Sequence, residues 1–449
     1  MRRVVISGLG SISPHGVGTQ PFWNALLEGK SSVTPLTKFD PGAFDSRVGG
    51  QIPPFKTADH VPKSYRKATK IMARDIELAV VAADLAIRDA KLISKGLTEA
   101  TPAETLQAQG WFKFDPTRMG CNIGAGLICV DLDELTAAMD QCRGPSDTLD
   151  LAKWGRSDDP SKTSGMENLT PLWLLKYLPN MLACHVSIIH DTQGPSNTIT
   201  CGQASAGLAL AEAARTIQRG HADMALVGGC ESKINPMALM RLSLLHRLTT
   251  KGNDSPVSSC RPYDKAAEGT VLAEGGAVLV IEEYEHAKKR GATIYAEVVG
   301  LGMSASASLS VIEPDETGEA PAMALKKALK SAGITANQVG LVIPPGLGVP
   351  RWDKSDAKAI NMVFGGTQAT ITPMRGGVGD CGAGAQALDL VAASLALKEQ
   401  TIPPTINCTD PIDGLNVNQD RVNKQLDYAV VLATALGGQN SAVVLKKIS

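Results

Sequence analysis

Seven histidines and nine cysteines carry most of the proton-transfer and nucleophilic chemistry open to this 449-residue chain. Their spacing excludes more than it suggests. No Cys-x-x-Cys pair occurs and no His/Cys spacing fits a metal site, so neither metal nor cofactor is expected. The histidines stand at 15, 60, 185, 190, 221, 246 and 286. Nothing beyond residue 286 can therefore act as an imidazole base. His185 and His190 flank a strand-like Val-Ser-Ile-Ile and read as hydrogen-bonding groups. Cys201, in Thr200-Cys-Gly-Gln-Ala-Ser-Ala-Gly, reads as a buried structural thiol. Ser205 lacks the first glycine of a nucleophile elbow and reads as helix packing. Asp353 and Lys354 read as a solvated helix start, with the aspartate near the positive helix end.

The elements that would position such groups alternate between strand and helix patterns, which predicts α/β architecture. Strand patterns fall at Val4 to Ser11, Met119 to Gly126, Asn197 to Cys201, Ala222 to Gly229 and Ala277 to Glu282. Others fall at Val339 to Ile343, Asp427 to Thr434 and Ser441 to Lys447. Helices are expected at Ile71 to Ala90, Asp131 to Gln141, Ala204 to Arg219, Ala320 to Ser331, Asp353 to Val363 and Ala383 to Lys398. The string Ala296-Glu-Val-Val-Gly-Leu-Gly-Met echoes Ile6-Ser-Gly-Leu-Gly-Ser near the start, suggesting two similar halves, 1–291 and 292–449. Stretches 94–117 and 142–170 are longer than ordinary connections and read as insertions.

Composition bounds the class. Hydrophobic residues make up 43% and charged residues 20%, and the formal net charge is -1. That balance gives no global reason to bind nucleic acid or an anionic membrane. No apolar run reaches the roughly 18 residues needed to span a bilayer. The N-terminal apolar stretch is too short for a signal peptide, so the cytoplasm is the expected compartment.

Several strings, in order along nearly the whole chain, together resemble the β-ketoacyl synthase family. They are Val4-Val-Ile-Ser-Gly-Leu-Gly-Ser-Ile-Ser-Pro, Phe22-Trp-Asn-Ala-Leu-Leu-Glu-Gly, Pro179-Asn-Met-Leu-Ala-Cys-His, Arg219-Gly-His-Ala-Asp-Met-Ala-Leu-Val-Gly-Gly-Cys-Glu, Arg261-Pro-Tyr-Asp-Lys, Pro403-Pro-Thr-Ile-Asn and Gly437-Gly-Gln-Asn. The resemblance implies a thiolase fold: two βαβαβαββ halves in a five-layered αβαβα core that dimerises. It also implies a cysteine nucleophile at a helix start and two histidines that stabilise an enolate.

This chain departs from that pattern at each place. Gln203 falls at the nucleophile position, and an amide is no acyl-accepting nucleophile. Cys201 would face the same way along a regular strand but about 7 Å short. Pro345, in Pro345-Gly-Leu-Gly-Val-Pro, replaces the histidine of a His-Gly-Thr-x-Thr string. The second histidine belongs to a Lys-x-x-x-Gly-His string. Its register here puts Pro373 at the lysine and Val378 at the histidine. Thr434-Ala-Leu-Gly-Gly lacks the family's phenylalanine gate.

A glutamine at the nucleophile position resembles the chain length factor of type II polyketide synthases. That resemblance implies a non-catalytic subunit that pairs with an active ketosynthase as a heterodimer, meets acyl carrier protein through the complex and shapes the elongation tunnel. No catalytic residue is then expected. Leu127, Val130 and Glu134, spaced for one helix face, become the candidate gating residues at the interface. Two alternatives stand beside it. A glutamine-type ketosynthase would decarboxylate malonyl carrier protein to prime synthesis, but such enzymes keep both histidines. A homodimeric condensing enzyme using Cys201 would lack histidine support.

Overall fold

The computed structural model describes residues 1–157, 159–306 and 312–448. Ten strands and eight helices build its frame. In chain order the strands are β1 (Val4–Ser13), β2 (Met119–Ala125), β3 (Ser196–Ile199), β4 (Met224–Ser232) and β5 (Leu272–Glu283), then β6 (Ala296–Ala305), β7 (Val339–Ile343), β8 (Thr370–Ile371), β9 (Tyr428–Thr434) and β10 (Gln439–Lys446). The helices are α1 (Arg74–Asp89), α2 (Leu132–Gln141), α3 (Met181–His190), α4 (Ser205–Gln218), α5 (Pro236–Leu244), α6 (Glu319–Ala332), α7 (Pro350–Phe364) and α8 (Ala385–Glu399).

The ten strands form one ladder in the order β8-β7-β9-β10-β6-β1-β5-β4-β2-β3. From the centre outward, each half repeats the same sequence: first strand, fifth, fourth, second, third. Pairing repeats too. The fifth strand is antiparallel to the first and fourth, and the second is parallel to the fourth and third. The halves join where β1 runs antiparallel to β6, with Val4 opposite Val298 and Ile6 opposite Ala296.

Side-chain alternation sorts these strands into layers. Leu279 and Ile281 of β5, with Ala429 and Val431 of β9, turn inward onto α4 and α8. Val278 and Val280 turn outward onto α1 and α3. Val430 and Leu432 turn outward onto α6 and α7. The result is the five-layered αβαβα core, with α4 and α8 in the middle. These two helices are buried on nearly every side, which is why their sequences are rich in alanine. The Gly-Leu-Gly echo has a packing cause. A Cβ on Gly10 would come within 2.1 Å of the Ala82 carbonyl oxygen, and one on Gly302 within 2.0 Å of that of Ala324. In each half the first strand presses so closely on its outer helix that only glycine fits.

Three local expectations need correction. Residues 63–71 form a 3₁₀ turn, and α1 begins only at Arg74. His185 and His190 lie on helix α3, because Leu182, Val186 and Ile189 recur at helical spacing against α1. Helix α2 starts at Leu132, capped by Asp131, whose side chain accepts the Asp133 N–H. Leu127 and Val130 therefore precede the helix and share no face with Glu134.

Candidate functional site

Helices α4 and α8 start side by side, each through a tight turn. After β3 the chain turns through Cys201 and Gly202 into a 3₁₀ turn, Gly202–Ala204, before α4 begins. Cys381 and Gly382 lead likewise into Gly382–Gly384 and α8. The two glycines have φ of +53° and +55°, where a side chain would be strained. Ser205 locks the first turn: its hydroxyl donates to the Gly202 carbonyl at 2.7 Å and accepts the Cys201 N–H at 2.8 Å. This turn delivers Gln203, 4% exposed, to the floor of a cavity.

The Gln203 Nε2 donates to Asp380 Oδ2 at 3.0 Å. Lys233, just past the end of β4, places Nζ 3.2 Å from the same oxygen. The Gly382 N–H donates to Asp380 Oδ1 at 2.9 Å. Glu231, beside Lys233, accepts the Ala383 N–H at 2.7 Å. Burial alone would raise the Asp380 pKa, but Lys233, the Gly382 N–H and two nearby arginines outweigh it and hold the carboxyl down to about 2. Burial would likewise strip Lys233 of its proton; Asp380 and Glu231 reverse that and keep it an ammonium. Glu231 is pushed up, chiefly by burial.

The cavity above these groups has a volume of about 440 Å³. Its walls are mostly apolar, with Ala125, Leu127, Leu242, Leu245 and Leu436 lining it, and its polar lining consists of Thr200, Gln203, Glu231, Lys233 and Arg241. An apolar slot ending in a few converging polar groups is the form of a small-molecule site.

Asp380, two residues after Val378, is the residue of this stretch that meets Gln203. Val378 is fully buried in the central core and takes no part in the cavity. Arg375-Gly-Gly-Val-Gly-Asp380 reproduces the Lys-x-x-x-Gly-His spacing two residues later than the register first read. Arg375 forms a buried ion pair with Asp389 of α8, and this pair fixes the register. The sequence reading missed Asp380, Lys233 and Glu231. Its glycine-rich stretch did carry the spacing that finds Asp380.

Pro345 is buried in a loop held from below. Asp353 accepts N–H bonds from Tyr263, Leu347 and Gly348 at 2.8, 2.9 and 3.1 Å. Asp353 stands in the first turn of α7 as expected, but at 1% exposure it is the buried anchor of the Pro345 loop and not a solvated group. Of the candidate gating residues, Leu127 lines the Gln203 cavity and is 64% exposed. Val130 lines a separate cavity beside Lys38 and Arg74. Glu134 is tied to Lys176 and accepts the Tyr177 hydroxyl at 2.7 Å. The three do not converge.

Other reactive groups are set aside by position. Cys201 is half-buried, does not line the cavity, and burial raises its pKa away from thiolate. His15 and His190 are held neutral, burial lowering each to about 4. His185 is lowered by the same cause.

Residues 1–287 match the Beta-ketoacyl synthase, N-terminal domain, and residues 295–409 match the Beta-ketoacyl synthase, C-terminal domain. The chain belongs to the β-ketoacyl synthase family. The 3-oxoacyl-[acyl-carrier-protein] synthase 2 of Vibrio harveyi is 31% identical over 454 residues, covering 100% of this chain and 99% of the relative. The mitochondrial 3-oxoacyl-[acyl-carrier-protein] synthase of Arabidopsis thaliana is 32% identical over 471 residues, covering 100% and 94%. A β-ketoacyl synthase from Burkholderia phymatum STM815 superposes with a TM-score of 0.83 at 26% identity, each chain covered fully. A type II polyketide-synthase acyl-carrier protein in complex with its ketosynthase bound to the hexaketide gives 0.80 at 25%, again with full coverage of both chains. The ishigamide ketosynthase/chain length factor, at 24% identity and a TM-score of 0.81 with full coverage of both chains, shares the fold.

These relatives overturn the chain-length-factor reading. The curated proteins that this family member matches end to end are named as synthases of 3-oxoacyl carrier-protein thioesters. The same names displace the priming-decarboxylase alternative. Among the described residues of this ketosynthase-fold chain, no helix is long and apolar enough to cross a membrane.

Proposed function

We propose that this chain works in the 3-oxoacyl-synthase reaction class, taking the acyl group of an acyl carrier protein into the Gln203 cavity and holding it there without a covalent bond to position 203. The observation that carries this reading is the cavity itself: an apolar slot of about 440 Å³ whose polar end is Gln203 at the start of α4 with Lys233, Glu231 and Arg241, and Asp380 holds the Gln203 amide and the Lys233 ammonium. Carrier-protein thioesters are the substrate class because relatives matched over their full length are named for them. In the family pattern the residue at this helix start is an acyl-accepting cysteine. Here it is an amide, which hydrogen-bonds but does not accept an acyl group. The histidine positions hold Pro345 and Asp380 in this reading, so contacts to the acyl group come from Lys233, Gln203 and the apolar walls.

A second chain of the same fold completes the assembly. Strand β3 is the outer edge of the ladder, with Ser196 and Asn197 exposed. Leu149, Leu151, Leu172 and Leu174 are also exposed, between 51% and 73%. An open strand edge and exposed leucines are both surfaces that proteins normally cover.

The test uses purified protein and octanoyl acyl carrier protein. Saturable binding that leaves the chain's covalent mass unchanged is the expected result. Absence of binding, or an acyl adduct on the chain, overturns the reading.

A further inference from the structure

Helix α5 contributes one stripe of side chains to the Gln203 cavity. Ala238, Arg241, Leu242 and Leu245, the last just past the helix end, recur at i, i+3, i+4 and i+7, and all of them line it. The others are apolar; Arg241 alone carries a charge. Among the described residues Arg241 pairs with no carboxylate, and the one partner of its side chain is the Cys129 sulfur, 2.8 Å from Nη2. A thiol is a weak acceptor, and a guanidinium carries several N–H donors. The remaining charged groups of the cavity are committed elsewhere. Lys233 is held by Asp380. Glu231 accepts the Ala383 N–H at 2.7 Å and meets Arg241 only through space.

A plain chain that fills this cavity takes water away from Arg241 and offers no acceptor in its place, which is costly for a charge. A chain that carries a carboxylate replaces that water with a charge-assisted contact, and the planar guanidinium can meet both carboxylate oxygens at once. We infer that Arg241 makes the Gln203 cavity select acyl chains bearing a carboxylate, so that a dicarboxylic acyl group is held more tightly than a plain one of the same length. This inference rests on the acyl reading above and adds the class of acyl chain. Plain chains still enter along the apolar walls, but they lack the group that Arg241 receives. The neighbours of Arg241 on its own stripe, Ala238, Leu242 and Leu245, suit a chain that brings its own carboxylate better than a free hydrated anion.

Calorimetric titration at pH 7 with two N-acetylcysteamine thioesters tests this: the octanoyl thioester and the mono-thioester of suberic acid. Their acyl chains are equally long and differ only at the far end, a methyl in one and a carboxylate in the other. The wild type is expected to bind the suberyl thioester at least about tenfold more tightly, the scale of one hydrogen bond to a charged group. Arg241→Met keeps a long side chain without the charge and should reverse the order, because the carboxylate then enters an apolar slot unpaired. Arg241→Lys keeps the charge without the planar fork and should retain part of the preference. Inorganic phosphate titrated alone should bind the wild type at least about tenfold more weakly than the suberyl thioester does. A melting curve shows whether each variant is folded. Should a variant fail to fold, the wild-type order decides. Octanoyl binding as tightly as suberyl in the wild type, or a suberyl preference untouched in folded Arg241→Met, overturns this inference and leaves the acyl cavity standing. Phosphate binding as tightly as the suberyl thioester would make Arg241 a free-anion site and overturn it as well. Failure of both thioesters to bind overturns the acyl reading and this inference with it.

Discussion

The Gln203 Nε2 and Asp380 Oδ2 meet at 3.0 Å across the starts of two central helices that occupy equivalent places in the two halves. One residue comes from Cys201-Gly-Gln-Ala, the other from Asp380-Cys-Gly-Ala, and each turn bends on a glycine of nearly the same positive φ. The contact ties the halves together at the floor of the cavity and sets the chemistry of that floor.

A cysteine placed at this point should be a poor nucleophile. In Gln203→Cys, the start of α4 favours thiolate, but the carboxylate of Asp380 disfavours it at closer range. Alkylation by iodoacetamide at pH 7.5 should be slower than for a free thiol. Adding Asp380→His removes the negative charge and should speed alkylation about tenfold, the effect of roughly one unit of thiol pKa. Equal rates in the two variants would show that Asp380 does not govern this position.

The buried Arg375–Asp389 pair should behave as a unit. Arg375→Met leaves an unpaired carboxylate beneath α8 and should cost about 3–5 kcal/mol in urea denaturation. Arg375→Met combined with Asp389→Leu removes both charges and should recover most of that loss. A double variant as unstable as the single one would count against the pairing.

Glycine-rich segments explain where the sequence was legible and where it was not. The Gly-Leu-Gly echo at Gly8–Gly10 and Gly300–Gly302 exposed the two halves, because close contact with α1 and α6 demands glycine at the same place in both. Gln203 was legible because the strand, turn and alanine-rich helix around it are all local. Asp380 was missed because the stretch from Gly376 to Gly384 has few side chains to set its register. What fixes it is a contact between Arg375 and Asp389, visible only once α8 is in place. Lys233 reaches the site from the end of a strand 147 residues earlier than Asp380, and no local pattern announces such an approach. The grouping of Leu127, Val130 and Glu134 assumed a helix that begins five residues after Leu127, at Leu132.

Of those three, only Leu127 should affect the chain the cavity accepts. Leu127→Trp adds bulk to a lining position and should weaken binding of a ten-carbon acyl carrier protein about tenfold relative to a six-carbon one, the effect of displacing about two of the four extra CH₂ groups at about 0.8 kcal/mol each. Glu134→Gln should leave the ratio unchanged, because Glu134 is tied to Lys176 and Tyr177 outside the cavity. Parallel binding curves for the two chain lengths provide the check.

Asp75 should make stability fall with rising pH. It is buried, accepts the Ser232 N–H at 3.2 Å, and is pushed up to about 8, first by burial and then by Glu231. Its folded value lies above the unfolded value of about 3.9, so the folded state holds the proton more tightly. The stabilisation is complete below pH 4 and is lost as pH rises toward 8. Asp75→Asn keeps an acceptor for Ser232 without a charge. It should flatten the decline between pH 5 and pH 8 in chemical denaturation. An unchanged pH slope would contradict the assignment.

Pairing along β3 should be sensitive to charge. Asn197→Lys with Thr198→Lys places two cations on the open edge and should convert a dimer to monomers of 47.0 kDa in sedimentation velocity. A wild type that sediments as a monomer at high concentration would remove this surface from the assembly.

The most direct test of the central claim is mass spectrometry of one sample under two conditions, after mixing the protein with octanoyl acyl carrier protein. Under native conditions, a complex of the chain with the octanoyl carrier protein is expected. Under denaturing conditions, the chain should return to its unmodified mass, with the octanoyl group still on the carrier. Octanoyl mass retained on the denatured chain, or no complex in the native spectrum, would contradict a cavity that holds its acyl group without a bond to Gln203.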